Sequence, residues 1–308
     1  MSIRFDDRVA IVTGAGIGLG RAHAMGLAAR GAKVVVNDLG AASDGTGGTM
    51  SPAQSVVDEI VAAGGEAMAH GADVTNPEQV ADMVAKTMEK WGRIDILINN
   101  AGILRDKTFS KMALDDFKKV VDVHLNGTAT VTHAVWPIMR EQGYGRIVLT
   151  ASSSGVYGNF GQSNYGAAKT GMMGLMNVLH LEGARDDIRV NTLTPTATTR
   201  MTEELFSPEA GALLQPETIT PGVLYLVSEN GPSRVIMGAG GGCFAQVRVY
   251  ETEGIVLTGD DLTPESVEEQ FAHVTDPRDQ RELTQAFEQT MKYAEKAAEA
   301  HGVTLKKE

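Results

Sequence analysis

Short, unbroken apolar runs rich in β-branched residues recur along this chain, and they restrict its fold more than any other feature. RVAIVT (8–13), KVVVND (33–38), IDILINN (94–100), RIVLTAS (146–152), IRVNTL (188–193) and RVIM (234–237) read as strands. They do not alternate apolar with polar, as expected of strands buried on both faces. Helical patterns lie between them, near 18–30, 54–63, 77–91, 114–141, 164–184 and 216–228. Strands alternating with helices predict right-handed βαβ units and an α/β fold: a doubly wound parallel sheet with helices on both faces. Ligands of such sheets sit beyond the carboxyl ends of the strands.

The sheet pattern stops after Val256, so residues 1–256 are expected to form the main domain and 257–308 a helical C-terminal extension. In the extension, Thr263-Pro264 and Asp276-Pro277 each look like a helix start, and Leu283, Phe287, Met291 and Ala294 make one apolar stripe at helical spacing. GAASDGTGGTMSPA (40–53) is a Gly/Ser/Thr insertion after the second strand. The net charge is −12, half of it in residues 257–308, which argues against a nucleic-acid partner. The N-terminus has no signal-peptide pattern, no apolar run is long enough to span a bilayer, and LKKE is not a peroxisomal address, so a cytoplasmic protein without a membrane partner is expected. Cys243 is the only cysteine, which points to a reducing compartment and a structural role. No metal site is expected.

VTGAGIGLGRA follows the first strand and opens the first helix. Gly14, Gly18 and Gly20 are spaced G-x3-G-x-G. Glycines there allow a tight turn and close backbone approach, and the helix N-terminus offers N–H groups to a pyrophosphate. Asp38 ends the second strand, where an acid accepts hydrogen bonds from an adenosine ribose and repels a 2′-phosphate. Ile17, inside the turn, is uncharged where a base would grip that phosphate. Both favour NAD over NADP; an ordinary polar strand end is the alternative for Asp38. Asp73-Val74 and Asn99-Asn100-Ala101-Gly102 sit at the ends of the third and fourth strands, along the same edge.

Tyr165 and Lys169 are i and i+4 on one helix, so they share a face. Ser152 ends the preceding strand. A tyrosine with pKa about 10 needs about 4 kcal/mol of help to work as a base near pH 7. A lysine ammonium and a cationic nicotinamide would supply it. Ser152 would hydrogen-bond the substrate oxygen. A Tyr-x3-Lys pair alone is common and is often only a helix start with a surface lysine.

Together the glycine turn, NNAG, Ser152, Tyr165 and Lys169 resemble the short-chain dehydrogenase/reductase family over residues 5–256. That resemblance implies a Rossmann-like fold, a Ser–Tyr–Lys mechanism and Thr198 among the cofactor contacts. More narrowly, NNAGILRDKTFSKM, VHLNGT and SGVYGNFGQSNYGAAK resemble the (3R)-hydroxyacyl-CoA dehydrogenase unit of the type 2 multifunctional enzymes. A free-standing, bacterial relative is expected, acting with NAD on acyl-CoA thioesters, some with steroid side chains, as a dimer or tetramer. A 3-oxoacyl carrier-protein reductase, a hydroxysteroid dehydrogenase and a non-catalytic cofactor-binding regulator are the competing readings.

The chain also departs from the family. His124, in DVHLNGT, stands where many members have asparagine; it is either a participant in the site or a polar helix residue without a chemical part. Asn126 is two positions on and faces elsewhere. Arg105 and Lys107 are candidate contacts for CoA phosphates, with plain surface charge as the alternative. Residues 194–206, with Met201, Leu205 and Phe206, are a candidate lid. Met172, Met173 and Met176 read as packing or a subunit seam rather than a substrate box.

Overall fold

Val9–Thr13, five small or β-branched residues, form the first strand β1, and every one is buried. In the computed structural model, which describes residues 2–202, 204 and 206–305, β1 runs parallel to β2 (Lys33–Asn37) on one side and β4 (Ile96–Asn99) on the other. With β3 (Glu66–His70), β5 (Gly145–Thr150), β6 (Ile188–Pro195), β7 (Ile236–Gly240) and β8 (Cys243–Val247) they make one sheet in the order β3-β2-β1-β4-β5-β6-β7-β8. All pairings from β3 across to β7 are parallel. The strand order reverses direction between β1 and β4, which opens a crevice at their carboxyl ends.

The connecting helices are α1 (Gly18–Ala28), α2 (Ser51–Ala62), α3 (Pro77–Trp91), α4 (Leu114–Val121), α5 (Gly127–Gln142), α6 (Ser153–Tyr157), α7 (Ser163–Gly183), α8 (Pro208–Leu213) and α9 (Thr220–Leu226). Alternate strand residues face opposite layers. Ala10, Val12, Val34, Val36, Ile96 and Ile98 share one core with Leu27 of α1, Val56 and Ile60 of α2 and Val223 of α9. On the other face α3 packs on α5, and α4 on α7. Helix ends follow local chemistry: Asn76 caps α3 by accepting from Glu78 N and Gln79 N, and Gly92 ends it at φ 70°.

Three elements differ from the sequence reading. Glu66–His70 contains no β-branched residue and is only partly buried, so the apolar pattern that marks central strands is absent from this edge strand. The expected helix over 114–141 is two helices, α4 and α5, joined by one π-helical turn, Asp122–Asn126. The last strands lie in a glycine-rich stretch: β7 covers Ile236–Gly240 rather than 234–237, and the turn Gly241-Gly242 leads into β8. Cys243 on β8 is exposed.

Contacts divide the chain into two units, 1–246 and 247–308. Within the second, α10 (Pro264–Glu269) starts at the Thr263 cap as expected, followed by α11 (Phe271–Val274) and α12 (Ala286–Ala300). Asp276 opens no helix; its carboxylate instead holds the backbone and guanidinium of Arg278. The apolar stripe is only partly covered: Leu283, Met291 and Ala294 are half-buried. Phe287 is 64% exposed, while Lys292 is 3% exposed and bonds Glu251 at 2.9 Å and the carbonyl of Thr252. Lys296 pairs with Glu253 at 2.8 Å, so charge rather than apolar contact joins α12 to residues 251–253. Among the described residues no helix is long and apolar enough to cross a membrane.

His23 of α1 is completely buried, with Nδ1 3.0 Å from Thr220 Oγ1 of α9. Burial pushes its pKa down to about 3. The unfolded chain protonates this histidine near pH 6.5, whereas the folded chain excludes the proton. Stability is therefore whole above pH 6.5 and falls by about 1.4 kcal/mol per unit as pH drops from 6.5 towards 3. In His23→Leu, urea unfolding across that window should show a shallower loss than in the wild type. An identical pH slope would show that His23 stays neutral in neither state or in both.

Candidate active site

The crevice between β1 and β4 is sutured by side chains. Asn100 donates from Nδ2 to the carbonyls of Thr13 (3.2 Å) and Gly14 (2.9 Å), while Thr13 Oγ1 accepts from the backbone N–H of Asn100 and Ala101. The glycine turn is thus locked to the NNAG loop. Gly14 has φ 61°, and a Cβ on it would fall 2.8 Å from Ala101 Cα. Gly20 sits on the inner side of α1, where a Cβ would meet Gly14 O at 2.2 Å; it closes the turn rather than lining the crevice. Ile17 is the N-cap of α1 and offers no side-chain cap, so the first N–H groups of the helix stay available to an anion.

A cavity of about 1030 Å³ opens from this turn. Gly14, Ile17, Gly18, Asp38, Asp73, Val74 and Asn100 line it, and so do Ser152, Tyr165, Lys169 and His124. Asp38 accepts from Gly16 N at 2.7 Å and from Gly40 N at 2.6 Å. Its carboxylate is therefore fixed at the end of β2, beside the glycine turn. Asp73 accepts from the N–H and hydroxyl of Thr75, both at 2.8 Å, and shapes the loop after β3. Residues 40–49 fold over the same edge, tied by Leu104 N to Ser43 O and by Arg200 to Ala41 O.

Ser152 caps α6 just beyond β5, and its Oγ accepts from Ser154 N at 3.1 Å. Its side chain faces the Tyr165 phenol and favours the ionised form. Asn164, wholly buried, accepts from Tyr165 N at 2.7 Å and donates to Arg105 O at 3.0 Å, which fixes the start of α7. Lys169 is 2% exposed; its ammonium donates to the carbonyl of Thr150 and lies 5.3 Å from the Tyr165 ring centre. Burial lowers the Lys169 pKa to about 7 and raises that of Tyr165 to about 12; the nearby Ser152 hydroxyl pulls Tyr165 down and the Asp106 charge pushes it up. Without a further positive charge the phenol holds its proton, so in this structure burial outweighs the expected help from the lysine.

The π-helical turn brings His124 inward. Its ring is 2% exposed and stands edge-on to Tyr165, with centres 5.1 Å apart at 86°. Nε2 lies 3.0 Å from Ile103 N and 2.8 Å from Ile103 O, which ties the ring to the loop after β4. Gly102 has to be glycine here, since a Cβ would fall 2.2 Å from His124 Cε1. Burial, then the Lys169 charge, holds the His124 pKa well below its usual value, so the ring is neutral. Nδ1 is buried with no hydrogen-bond partner among the described residues. Asn126 is exposed and bonds Asp122, away from this cluster.

Other candidates fall elsewhere. Thr198 donates to Gly211 O at 3.0 Å, and Thr196, Ala197 and Thr199 line the cavity in its stead. The loop runs on from β6, and its first turn points the Thr198 side chain at α8. Arg105 is occupied by Asp116 at 2.8 Å and by Asp44 O, while Lys107 is exposed. Met201 and Phe206 line the cavity; Leu205 lies outside the described residues. Met172, Met173 and Met176 are buried in packing. The sequence reading passed over Thr13 and Asn164, whose contacts cross between separate segments and leave no local pattern.

Comparison with known proteins agrees with this geometry. A family model described as short chain dehydrogenase matches residues 8–210. The peroxisomal hydratase-dehydrogenase-epimerase of Saccharomyces cerevisiae is 46% identical over 282 residues, 90% of this chain and 31% of that protein. A short-chain type dehydrogenase/reductase of Mycobacterium tuberculosis is 46% identical over 80% of this chain and 87% of its own. The chain spans 31% and 61% of the length of the first two curated relatives it matches. The full-length multifunctional enzyme type 2 of Drosophila melanogaster superposes with a TM-score of 0.80 at 38% identity, over 97% of this chain and 50% of that one. A 7 alpha-hydroxysteroid dehydrogenase solved with NADH and 7-oxo glycochenodeoxycholic acid gives a TM-score of 0.70 at 30% identity, over 78% of this chain and 95% of that one. With the family model covering most of the sheet and these relatives sharing both fold and sequence, this chain belongs to the short chain dehydrogenase family.

Proposed function

We propose that the protein is an NAD-dependent dehydrogenase that interconverts 3-hydroxyacyl-CoA and 3-oxoacyl-CoA. The observation that carries this reading is the convergence of Ser152, Tyr165 and Lys169 in one cavity that begins at the uncapped N-terminus of α1. The cavity fits a dinucleotide: glycine backbone and free helix N–H groups for a pyrophosphate, and a fixed carboxylate, Asp38, for the ribose diol. Gly14, Ile17, Gly18, Asp73, Val74 and Asn100 form its walls, and Gly20 and Thr198 support them from behind. The oxidised nicotinamide, when bound, accepts hydride from the substrate carbon.

The chain's own groups do the rest. Ser152 hydrogen-bonds the substrate oxygen and keeps it against the phenol. Tyr165 takes the hydroxyl proton at its phenolic oxygen during oxidation and returns it during reduction. Lys169 lies under the ring and stabilises the phenolate. His124, neutral and wedged between Gly102 and Tyr165, holds the ring and the loop after β4 in register. Residues 1–256 would carry this chemistry and 257–308 would be an appended helical element. The resemblance of NNAGILRDKTFSKM and SGVYGNFGQSNYGAAK to the (3R)-hydroxyacyl-CoA dehydrogenase unit favours the thioester over a free hydroxysteroid as substrate. The acyl group would be apolar, a fatty or steroid side chain. A reducing, cytoplasmic setting fits the single cysteine, and a homo-oligomer, dimer or tetramer, is what the family resemblance implies.

Turnover of a panel of 3-hydroxyacyl-CoAs and free hydroxysteroids with NAD tests the reading. Far higher kcat/KM on free sterols than on every thioester would replace it with the hydroxysteroid alternative. Tyr165→Phe should lower kcat by about 10²–10⁴ while NADH still binds by fluorescence titration. Retained turnover would remove Tyr165 as the acid/base.

Asp38 sets cofactor choice in this reading. The wild type should use NAD with higher kcat/KM than NADP, and Asp38→Ala should narrow the gap by roughly tenfold, the value of a charged hydrogen bond. A wild-type preference for NADP would contradict the assignment.

His124→Ala should lower kcat more than it weakens NADH binding, because the lost contacts face Tyr165 rather than the glycine turn. Unchanged kcat in His124→Ala together with an inactive Asn126→Ala would place the wrong residue at this position.

A further inference from the structure

Past Ser152 and Tyr165 the cavity ends in an apolar rim that nothing in the described chain covers. Phe160 is 90% exposed and Tyr157 is 75% exposed, and both line the cavity. Aromatic side chains of this size are usually drawn into a core. These two stand out from an ordered turn rather than a frayed one. Lys107 N donates to Gly161 O at 3.0 Å, Gln162 donates to Asp106 at 2.7 Å, and Asn159 donates to Gln162 at 3.0 Å. The same turn joins α6, which Ser152 caps, to α7, which carries Tyr165. Its rings are therefore placed by the same short segment that places the two candidate catalytic groups. Met201 and Phe206, from the loop after β6, line the cavity as well and are half-buried.

The chemistry of this end suits an apolar ligand. Residues 157–160 carry no charge. Asp106, hydrogen-bonded to Gln162 and itself lining the cavity, would repel a phosphate there. We propose that Tyr157 and Phe160, with Met201 and Phe206, form the subsite for the acyl chain and make the enzyme prefer long chains over short ones. The proposal rests on the function proposed above and adds which residues read the acyl group. Each methylene that leaves water against these rings adds to transition-state binding until the rim is filled.

The test is kcat/KM for 3-hydroxybutanoyl-CoA and 3-hydroxydecanoyl-CoA in the wild type, Phe160→Ala, Tyr157→Ala and Val61→Ala. Val61 is an exposed apolar residue on α2, outside the cavity lining. NADH fluorescence titration verifies that each variant is folded. The wild type should favour the decanoyl ester. Phe160→Ala should cut the decanoyl-to-butanoyl ratio by roughly tenfold, with a smaller cut in Tyr157→Ala. Val61→Ala should keep the wild-type ratio. A ratio unmoved by either rim variant overturns the subsite while leaving the dehydrogenase reading intact, and so does an equal fall in Val61→Ala. A wild type that oxidises neither ester overturns both.

Discussion

The amide of Asn100 bridging to the carbonyls of Thr13 and Gly14 is the contact on which the rest of the site depends. Two strands remote in sequence meet at the point where the sheet's order reverses, and their loops would otherwise diverge into solvent. The bridge presents the glycine turn at the start of α1 and aligns the loop that follows β4. From that loop the order propagates by direct contact. Gly102 leaves room for the His124 ring, Ile103 bonds it, and the ring stands edge-on to Tyr165. Tyr165 shares its helix face with Lys169, whose ammonium is held by the Thr150 carbonyl at the end of β5. Every link is a buried polar contact or a close approach allowed by glycine, so a change at either end displaces the other.

What could be read from the sequence followed from what burial does to composition. Central strands covered on both faces must be continuously apolar, so β1, β2, β4, β5 and β6 announce themselves. The edge strand β3 has one side open, and Glu66–His70 satisfies it without a β-branched residue. The glycines around 238–242 read as loop although they pair in β7 and turn into β8, because a sheet edge with close backbone neighbours tolerates them. In the C-terminal unit the stripe through Phe287 suggests an apolar contact, but its members are at most half-buried, and the most deeply buried side chain of α12 is Lys292, held by Glu251, with Lys296 on Glu253. Periodicity records which residues share a face and not which face is covered.

The site divides in the same way. Spacing along one helix brings Tyr165 to Lys169, and the end of a strand supplies Ser152, so these three are local patterns. The family resemblance implies Thr198, but its hydroxyl donates to Gly211 O, and its neighbour Thr199 lines the cavity. Arg105 looked free for a phosphate, but Asp116, eleven residues on, neutralises it. The inward reach of His124 depends on a single π-helical turn, which no pattern of hydrophobic residues encodes.

Burial also explains why the resting site is not yet a base. It raises Tyr165 to about 12 and lowers Lys169 to about 7, both by withdrawing water. Moving the phenol from about 12 to a working value near 7 takes about 7 kcal/mol at 1.4 kcal/mol per unit. A full unit charge 5.3 Å from the ring centre, the Lys169 separation, supplies about 3 kcal/mol at an effective dielectric of about 20, and Lys169, drawn down to about 7 by burial, supplies less than that at pH 7. The lysine alone therefore leaves more than half of the deficit unmet, and a second positive charge would reduce it. In the proposed reaction a bound oxidised nicotinamide would supply that charge beside Tyr165, so the phenolate would become accessible only with the dinucleotide in place. The same dryness that disfavours the phenolate strengthens both attractions, so excluding water suppresses the base in the empty site and enables it in the filled one.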